Sequence, residues 1–415
     1  MGKTDRDSLD VYYRDKLIGK LWLDESHRFN FQYDTEWVKI ENAVPLSYSL
    51  PIREAPYKDD VAKPFFSNLL PEGGVRRMIA RRLRISEQND FAMLREIGGE
   101  CAGAVSVLPL GFAPAGAPGY RRISIDELHK LMADLPKRPF LAGEKGIRLS
   151  LAGAQNKLPV YMEGLDIYIP TGNASTTHIL KPAIPEFNGT VENEAFCMKL
   201  AELMDLSVPQ TTIYGERDRL YLVKRYDRVQ DQDGRVFRLH QEDFCQALGL
   251  LPVQKYESEG GPSLAQCFNL IKEVSIRPAA DQKSLIRWIA YNILIGNADC
   301  HAKNLSILYT TSGPSLAPFY DLISTRVYPE ISGRLAMKIG GENRLNWIQR
   351  RHWERLGAEI NIKPRLITRL TEEMSTRITE HAGTLMKIFS DTYGPSSIIE
   401  NIVKGITKIA RHSGR

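Results

Sequence analysis

An apolar helix, a short polar loop and an apolar strand follow one another between residues 284 and 308. The helical pattern covers Leu285 to Ile295 and stops at Gly296, a residue type that commonly ends helices. The loop N-A-D-C-H-A-K-N comes next, between two segments that are apolar enough to be buried. Polar groups held there are costly unless they have partners or a task. The pattern therefore predicts an ordered loop that has a function and lies next to the core of a folded domain.

Two side chains of this loop, Asp299 and Asn304, stand five positions apart. D-x-x-x-x-N is the interval of kinase catalytic loops, where the Asp takes a proton from the acceptor hydroxyl and the Asn oxygen binds magnesium. The interval alone occurs by chance in many proteins, but the flanking helix and strand and the included His301 and Lys303 make it informative. Asp321, after a short apolar run, is the second metal-binding acid that such a site needs. A hairpin is expected to bring it to the loop, whereas the bland alternative is an Asp that caps a turn.

The strand-rich part of the chain offers residues for binding phosphates. The segment S-L-A-G-A-Q-N-K, 150–157, has small residues that allow backbone amides to approach phosphate oxygens, although a plain β-turn is the competing interpretation. Lys181 ends an apolar strand, where kinases carry a phosphate-pairing lysine, or it only extends its charge to water. The next helix offers Glu192 or Glu194 as its ion-pair partner. The run V-K-R-Y-D-R, 223–228, is placed as a hinge whose backbone would read the adenine edge.

Composition excludes several classes of protein. The 415 residues are 43% hydrophobic and 25% charged, as in ordinary globular proteins, and the net charge of +5 is too small to indicate nucleic-acid binding. No apolar run approaches the length of a membrane span, and the polar start lacks the apolar core of a secretory signal, so we expect a cytoplasmic protein. Five cysteines without a Cys-x-x-Cys spacing argue against a disulfide framework or a zinc site, and we expect reduced thiols in or near the core.

The order of patterns predicts an α+β chain whose first half is rich in strands and whose second half is mostly helical. The Gly- and Pro-rich run 111–119 is interpreted as a linker. We predict four parts: an N-terminal β-rich subdomain, 1–112; a linker with a short helix, 113–147; a nucleotide-binding part with the hinge, 148–228; and a helical lobe with the catalytic loop, 229–415.

Two basic segments have no assigned place in this scheme. The arginine-rich helix predicted after residue 74 is either a solvated face or a contact for nucleic acid or an acidic partner. The tail 404–415 is either a contact for DNA or a protein partner, or a disordered solvated end.

Taken together, these stretches resemble the HipA family, the toxin kinases of bacterial HipBA toxin–antitoxin modules. The matching runs include F-S-N-L-L-P-E-G, S-L-A-G-A-Q-N-K, V-K-R-Y-D-R, H-Q-E-D-F-C-Q-A-L-G and I-G-N-A-D-C-H-A-K-N-L-S, and they extend from about residue 10 to beyond residue 340. The resemblance implies a serine/threonine-protein kinase with a two-lobed, protein-kinase-like α+β fold, an additional N-terminal β-rich subdomain, and a requirement for ATP and Mg²⁺.

The resemblance also assigns roles to residues. It implies Asp299 as the catalytic base, Asn304 and Asp321 as the magnesium ligands, and Ser150 as a site of autophosphorylation that switches the enzyme off. Cys300 receives no role, and His301 is expected to brace the loop. The ATP-binding residues that it implies are Ala152, Gly153, Ala154, Gln155, Asn156, Lys157, Lys181, Lys224, Arg225, Tyr226, Asp299, His301, Lys303 and Asp321.

Partners follow from the same resemblance. Family members phosphorylate glutamyl-tRNA synthetase, which causes growth arrest and persistence, and they are neutralised by HipB, a helix-turn-helix antitoxin dimer, in a complex on operator DNA. Two other functions compete with this one. The same acidic set would serve a phosphotransferase acting on a small molecule, and a catalytically silent, DNA-bound co-repressor would keep only the fold. The intact Lys181, Asp299, Asn304 and Asp321 count against the silent protein.

Overall fold

The computed structural model describes residues 8–114, 119–142, 148–172, 174–216 and 218–413. The chain divides into two compact units. The first consists of Met1–Pro182 with Lys224–Pro252, and the second of Ala183–Val223 with Val253–Arg415. Each unit is therefore assembled from two separated stretches of sequence.

Thirteen of the seventeen strands of the described residues lie before residue 244. Those of the described residues are β1 Ser8–Tyr13, β2 Lys16–Leu23, β3 Phe29–Tyr33, β4 Val105–Pro109, β5 Gly119–Ile123, β6 Leu158–Glu163, β7 Asp166–Thr171, β8 His178–Lys181, β9 Thr211–Tyr214, β10 Leu220–Lys224, β11 Arg228–Gln230, β12 Val236–Arg238, β13 His240–Asp243, β14 Ser306–Thr310, β15 Gly313–Leu316, β16 Arg334–Ile339 and β17 Glu342–Arg344.

The twelve α-helices of the described residues divide evenly between the two halves of the chain, but the three longest are in the second half. Those of the described residues are α1 Thr35–Val38, α2 Asp59–Ser67, α3 Gly73–Leu83, α4 Asp90–Ile97, α5 Ile125–Asp134, α6 Thr190–Leu203, α7 Phe244–Ala247, α8 Leu264–Val274, α9 Pro278–Ile295, α10 Arg350–Glu359, α11 Pro364–Tyr393 and α12 Ser397–Ser413.

The first unit begins with an antiparallel sheet in the order β3-β2-β1-β4. Gly19 in β2 lies opposite Tyr33 of β3, and a Cβ atom at Gly19 would stand 2.5 Å from the Gln32 carbonyl oxygen and 2.7 Å from the Phe31 ring. Only glycine fits this position, which allows the Phe31 ring to cross the sheet. The ring of Phe66, on α2, packs against Phe31 with centroids 5.4 Å apart, so α2 covers this face of the sheet.

A second antiparallel sheet of the first unit has the strand order β5-β7-β6-β8. β6 and β7 form a hairpin, in which Met162 pairs with Ile167. Val160, Ile169 and Leu180 have no solvent exposure and form the buried face. The predicted linker 111–119 lies partly outside the described residues, which stop at 114 and resume at 119.

Four charged residues of the first unit form what we call the buried ion cluster: Glu100, Arg225, Asp227 and Arg228. Arg225 binds Asp227 through two nitrogens, at 2.9 and 2.8 Å, and Arg228 contacts Asp227 at 2.8 Å and Glu100 at 2.9 Å. Burial opposes ionisation, but Arg225 and Arg228 hold the pKa of Asp227 well below its usual range. The cluster joins the segment before β4 to the start of β11, so residues 8–108 pack as part of a larger unit. The predicted four-part division of the chain stays a prediction.

The second unit contains α6, α8 to α12 and the hairpins β9–β10, β14–β15 and β16–β17. The hairpin predicted after the catalytic segment is confirmed, since Ile307 pairs with Leu316. Residues 296–348 contain short strands and 3-10 turns but no α-helix, so the non-helical part of this half is longer than the sequence patterns indicate.

The basic tail is a helix. α12 runs through residue 413, and the side chains of Ile402 and Ile406 are each 1% exposed. Their spacing of four places both on one face, which packs into the unit. Of the two interpretations left open for the tail, the disordered end is therefore wrong for the described residues.

The five cysteines are all buried and none forms a disulfide, which confirms the prediction of reduced thiols in the core. No described helix combines the length and apolar character that a membrane crossing requires.

Candidate active site

The predicted catalytic loop begins where α9 ends. Gly296 takes a left-handed conformation, with φ of 73°, and a Cβ atom there would lie 3.0 Å from the Arg326 Cβ. The Asn297 amide then donates to the side-chain oxygen of Asn292 at 2.7 Å, and the Ala298 N–H donates to the Thr325 hydroxyl at 2.8 Å. These bonds fix the path of the chain as it leaves the helix.

The carboxylate of Asp299 is exposed to solvent, whereas its backbone N–H and carbonyl are both hydrogen-bonded. Its N–H donates to the side-chain oxygen of Asn297 at 3.0 Å, and its carbonyl accepts from the His301 N–H and the Asn304 side-chain amide, each at 3.0 Å. Its Oδ1 accepts a hydrogen bond from the Tyr256 hydroxyl at 2.5 Å. An exposed carboxylate on a rigid loop is suited to receive a proton from an incoming hydroxyl.

Asn304 is 5% exposed and has one amide atom left for a ligand. Because its Nδ2 donates to the Asp299 carbonyl, its Oδ1 is the atom that remains. A hard oxygen is the ligand type that Mg²⁺ prefers. The hydrogen bond therefore orients Asn304 in the way that the predicted metal role requires.

Asp321 has a strained backbone, with φ of 60° in the left-handed region. Non-glycine residues in this region cost free energy and persist where the surroundings hold them. Here Phe319 stacks on Trp288 with centroids 6.0 Å apart, and the hydroxyl of Tyr320 donates to the Lys303 carbonyl at 2.7 Å. The segment is thus attached to α9 and to the catalytic loop immediately before the acid.

Asn193 of α6 holds the same segment from the other side. Its side chain accepts from the Ser324 N–H at 2.9 Å and donates to the Ser324 carbonyl at 2.9 Å. The same amide lies 3.1 Å from the Tyr328 hydroxyl, and the side chain has no solvent exposure. The sequence patterns did not identify Asn193, although its place on the apolar stripe with Cys197 was a signal of a buried polar group.

The two candidate glutamates of α6 have different surroundings. Glu192 pairs with Arg219 at 3.1 Å, whereas Glu194 is buried and 4% exposed. Burial first, and then the nearby carboxylates of Glu194 and Asp321, raise the pKa of Tyr221 well above its usual value. Glu194 and Asp321 therefore lie around the same buried tyrosine, which favours Glu194 over Glu192 as the residue that serves the site.

The donor set suits a magnesium ion that the substrate helps to hold. Among the described residues, no group of three or more His, Cys, Asp or Glu side chains is placed to bind a metal alone. Asn304 and Asp321 supply two hard oxygens, and Mg²⁺ commonly completes its octahedron with water and phosphate oxygens. The residues present fit Mg²⁺ bound together with a nucleotide.

Cys300 lies within the catalytic loop but is not a nucleophile. Burial above all, and the neighbouring Asp299 carboxylate, raise the pKa of this thiol to about 12. Because the thiolate is the reactive form, the residue is chemically silent near neutral pH. Its lack of an assigned role agrees with this position.

In the first unit, the candidate phosphate loop 152–157 follows the predicted switch serine. Ser150 has no solvent exposure, and its hydroxyl donates to the Leu69 carbonyl at 2.8 Å. Lys157 Nζ donates to the Ala152 carbonyl at 2.7 Å, which closes the loop on itself around Gly153. The Glu72 N–H donates to the Gly153 carbonyl at 3.1 Å. The N-terminal segment 69–72 therefore holds the candidate loop at two points.

Four further residues of this region were predicted to bind ATP. The side-chain oxygen of Asn156 is buried without a hydrogen-bond partner among the described residues, so this amide has capacity for a ligand. Lys181, at the end of β8, is 8% exposed. Gln155 Nε2 approaches the Pro182 carbonyl at 3.5 Å, and Ala154 is exposed at the loop tip.

Most side chains of the predicted hinge already make hydrogen bonds or ion pairs within the protein. The Arg225 N–H donates to the Thr177 carbonyl at 2.9 Å and its guanidinium belongs to the buried ion cluster, so neither group is available to adenine. The Tyr226 hydroxyl donates to the Gln241 side chain. Lys224 is exposed. A hinge contact would have to use the remaining backbone groups. The structural role of Arg228 was missed because its partner Glu100 is 128 positions away in sequence.

Two protein-family models match this chain. A family model for the HipA N-terminal domain matches residues 9–108, and one for the HipA-like C-terminal domain matches residues 149–382. The chain belongs to the HipA family. The resemblance predicted from the sequence motifs is confirmed.

Relatives within the HipA family cover nearly the whole chain. A putative kinase, Y4mE, of Sinorhizobium fredii is 41% identical over 98% of this chain and 99% of its own length. The serine/threonine-protein kinase toxin HipA of Shewanella oneidensis is 32% identical over 81% of this chain and 79% of its own length. The chain is thus a member of a family of serine/threonine kinase toxins.

A solved HipA structure supports the predicted fold class. HipA from Shewanella oneidensis, in a complex with HipB and its operator DNA, superposes with a TM-score of 0.85 and 28% identity, and covers 98% of this chain and 97% of that one. The α+β, kinase-like fold with an additional N-terminal β-rich part is confirmed.

Proposed function

We propose that this HipA-family chain is an ATP-dependent protein kinase toxin that phosphorylates a serine of a target protein. The observation that carries the proposal is the catalytic loop itself, where Asp299 is exposed on a backbone fixed by Asn297, His301 and Asn304. The loop is joined to the segment that carries Asp321. Names of relatives as kinases support the same activity.

Each residue has a part in the proposed reaction. Asp299 accepts the proton of the serine hydroxyl as that oxygen attacks the γ-phosphorus, and the bond from the γ-phosphorus to the bridging oxygen breaks to release ADP. Asn304 Oδ1 and the Asp321 carboxylate would hold Mg²⁺, which would neutralise negative charge on the phosphates. Lys181, with Glu194 as its proposed ion-pair partner, and the loop 152–157 would bind the phosphates of ATP.

The target and the partners are proposed from the family. Glutamyl-tRNA synthetase is the first protein substrate to test, with growth arrest as the cellular result. A HipB-type helix-turn-helix antitoxin is the proposed partner, and operator DNA would be bound through that complex, as in the HipA, HipB and operator DNA complex of Shewanella oneidensis.

Removal of the base tests the activity. Asp299→Asn keeps the shape of the side chain but cannot accept the proton, so phosphate transfer from γ-labelled ATP to glutamyl-tRNA synthetase should fall at least about 100-fold. The matched control is Asp233→Asn, which makes the same charge change at an exposed turn of the first unit. It should retain wild-type transfer.

Other outcomes of that experiment decide between the alternatives. Label on a panel of small hydroxyl compounds but on no protein would favour the small-molecule phosphotransferase. Full transfer by Asp299→Asn would contradict the assigned base. ATP binding and antitoxin binding without transfer to any acceptor, in the wild type, would favour the silent co-repressor.

Ser150 is the proposed site of autophosphorylation. A phosphoserine adds nearly two negative charges beside a loop meant to hold phosphates, so it would expel the loop from its site. Ser150→Ala should show no self-phosphorylation by mass spectrometry and should stay active over repeated turnovers. Ser312→Ala, at an exposed turn, is the control and should inactivate like the wild type. Unchanged phosphate incorporation in Ser150→Ala would contradict the assignment.

A further inference from the structure

A loop of the second unit, 253–261, lies beside the catalytic loop and was given no role by the sequence motifs. The carbonyl of Tyr256 accepts from the N–H groups of Glu259 and Gly261, each at 2.9 Å, which folds the loop into a compact turn. The Lys255 carbonyl accepts from the Ala302 N–H at 3.3 Å. The turn is thus attached directly to the segment between Asp299 and Asn304.

A second attachment holds the same turn from the side of β16. Glu257 accepts from the Lys338 N–H at 2.6 Å, and its carboxylate lies 3.5 Å from the Lys338 ammonium. The strand itself contacts the catalytic loop, since the Ala336 N–H donates to the Ala298 carbonyl at 3.0 Å. The backbone at Tyr256 is therefore fixed relative to the catalytic loop by two independent routes.

The side chain of Tyr256 uses this placement to reach the proposed base. Its hydroxyl donates to Asp299 Oδ1 at 2.5 Å. Its ring meets His301 edge to face, with centroids 5.3 Å apart and an angle of 87°, and the Lys255 ammonium lies 5.5 Å from the ring centre. The phenol is thus oriented by its neighbours and not by the hydrogen bond alone.

We propose that Tyr256 is a positioning residue that aims the Asp299 carboxylate at the acceptor hydroxyl. The inference rests on the proposed kinase function. An exposed carboxylate rotates among several orientations, and general-base catalysis requires one of them. The phenol occupies Oδ1 and so leaves Oδ2 turned toward the incoming serine. His301 supports the Tyr256 ring through the edge-to-face contact. This contact is a specific form of the bracing role expected of His301.

The test is a double-mutant cycle on purified protein. Tyr256→Phe keeps the ring on His301 but removes the donor, and it should lower kcat for the protein acceptor about 10-fold, since a hydrogen bond to a charged group is worth a factor of this order. The Kd for ATP should not change. In the Asp299→Asn background the same substitution should change kcat less than about twofold, because the two residues act through one carboxylate.

The control is Tyr168→Phe, which removes a surface tyrosine hydroxyl placed 3.4 Å from Glu163 in the first unit. It should leave kcat unchanged. A second variant, Tyr256→His, retains a planar ring with a donor and should keep more activity than Tyr256→Leu. This comparison does not depend on the phenylalanine variant being well folded.

The outcomes separate this inference from the proposed function. If Asp299→Asn is inactive while Tyr256→Phe equals the wild type, the positioning role is wrong and the kinase assignment stands. If the two losses multiply in the double variant, Tyr256 acts independently of Asp299 and the inference is overturned. If Asp299→Asn keeps full activity, both the assigned base and the residue proposed to aim it are rejected.

Discussion

At the scale of single residues, Asn193 shows how one side-chain amide holds the segment that carries Asp321, a proposed metal ligand. Both backbone groups of Ser324 bond to it, three residues beyond the strained Asp321. A hydrophobic residue of similar size would leave two buried backbone groups without partners, which is costly. The left-handed backbone of Asp321 is retained because its flanks are held in this way.

Some site residues follow from sequence and others do not, for a physical reason. Asp299, Asn304 and Asp321 stand on a helix–loop–strand pattern whose spacing is local, so their elements were predicted correctly. Tyr256 reaches Asp299 across 43 positions, and no local pattern marks such a contact. Asn193 carries a weak signal, as a polar residue on a buried helical stripe, and it becomes interpretable only when Ser324 is known to lie opposite.

His240 gives a pH dependence at the same scale. It has no solvent exposure, and its Nε2–H donates to the Leu46 carbonyl at 2.9 Å. Burial lowers its pKa to about 4 from an ordinary value of 6.5. Between these values the unfolded chain takes up a proton and the folded chain does not. Its contribution to stability is therefore complete above pH 6.5 and is lost as the pH falls toward 4, by up to about 1.4 kcal/mol per pH unit.

Urea unfolding at pH 7.5 and pH 5 measures this effect. The free energy of unfolding of the wild type should fall between the two values. His240→Gln should be less stable at pH 7.5 and should lose less on acidification. Equal losses in the two proteins would show that other groups control the acid response, such as His178, whose pKa is also lowered to about 4, mainly by burial.

At the scale of elements, the catalytic loop and the segment 319–325 stabilise each other. Tyr320 bonds to the carbonyl of Lys303, and the Thr325 hydroxyl accepts from Ala298 and donates to the Gly296 carbonyl at 3.2 Å. This exchange replaces the regular bonds of a helix, which explains why residues 296–348 are less helical than predicted. Glycine and short apolar runs in this stretch favour turns and strands, but only the pairing partners decide their arrangement.

The buried ion cluster joins elements in the first unit and predicts a large cost when it is broken. Arg228→Met would leave Glu100 and Asp227 without a cation that lies within 3 Å of both. Removal of one partner from a buried network costs about 3–5 kcal/mol, so the urea midpoint should fall substantially. The control, Arg122→Met, breaks an exposed pair with Asp166 and should cost less than about 1 kcal/mol. Similar losses in both variants would contradict the role of the cluster.

At the scale of the whole molecule, the order of strands and helices was predictable and the grouping of the chain was not. Hydrophobic patterns indicated the strand that ends at Lys181 and the helix that follows it, which are β8 and α6. They did not indicate β5, which begins where the predicted linker ends. The division into two units depends on contacts such as Glu100 with Arg228, which are 128 positions apart. Family membership, in contrast, was readable from short motifs, because each of them surrounds a residue with a chemical or structural task.

The enclosure of Ser150 has a consequence for timing. Its hydroxyl is bonded to Leu69 and its N–H to the Glu100 carbonyl, and no part of the side chain reaches solvent. A phosphoryl group can be transferred to that oxygen only after the segment has left its place. If Ser150 is the site of self-inactivation, as proposed above, the interval before inactivation would be set by how often this edge of the fold opens. The packing around Ser150 would then determine how long each molecule stays active. A substitution that makes the contact with Leu69 less stable would shorten that time, and one that makes it more stable would lengthen it.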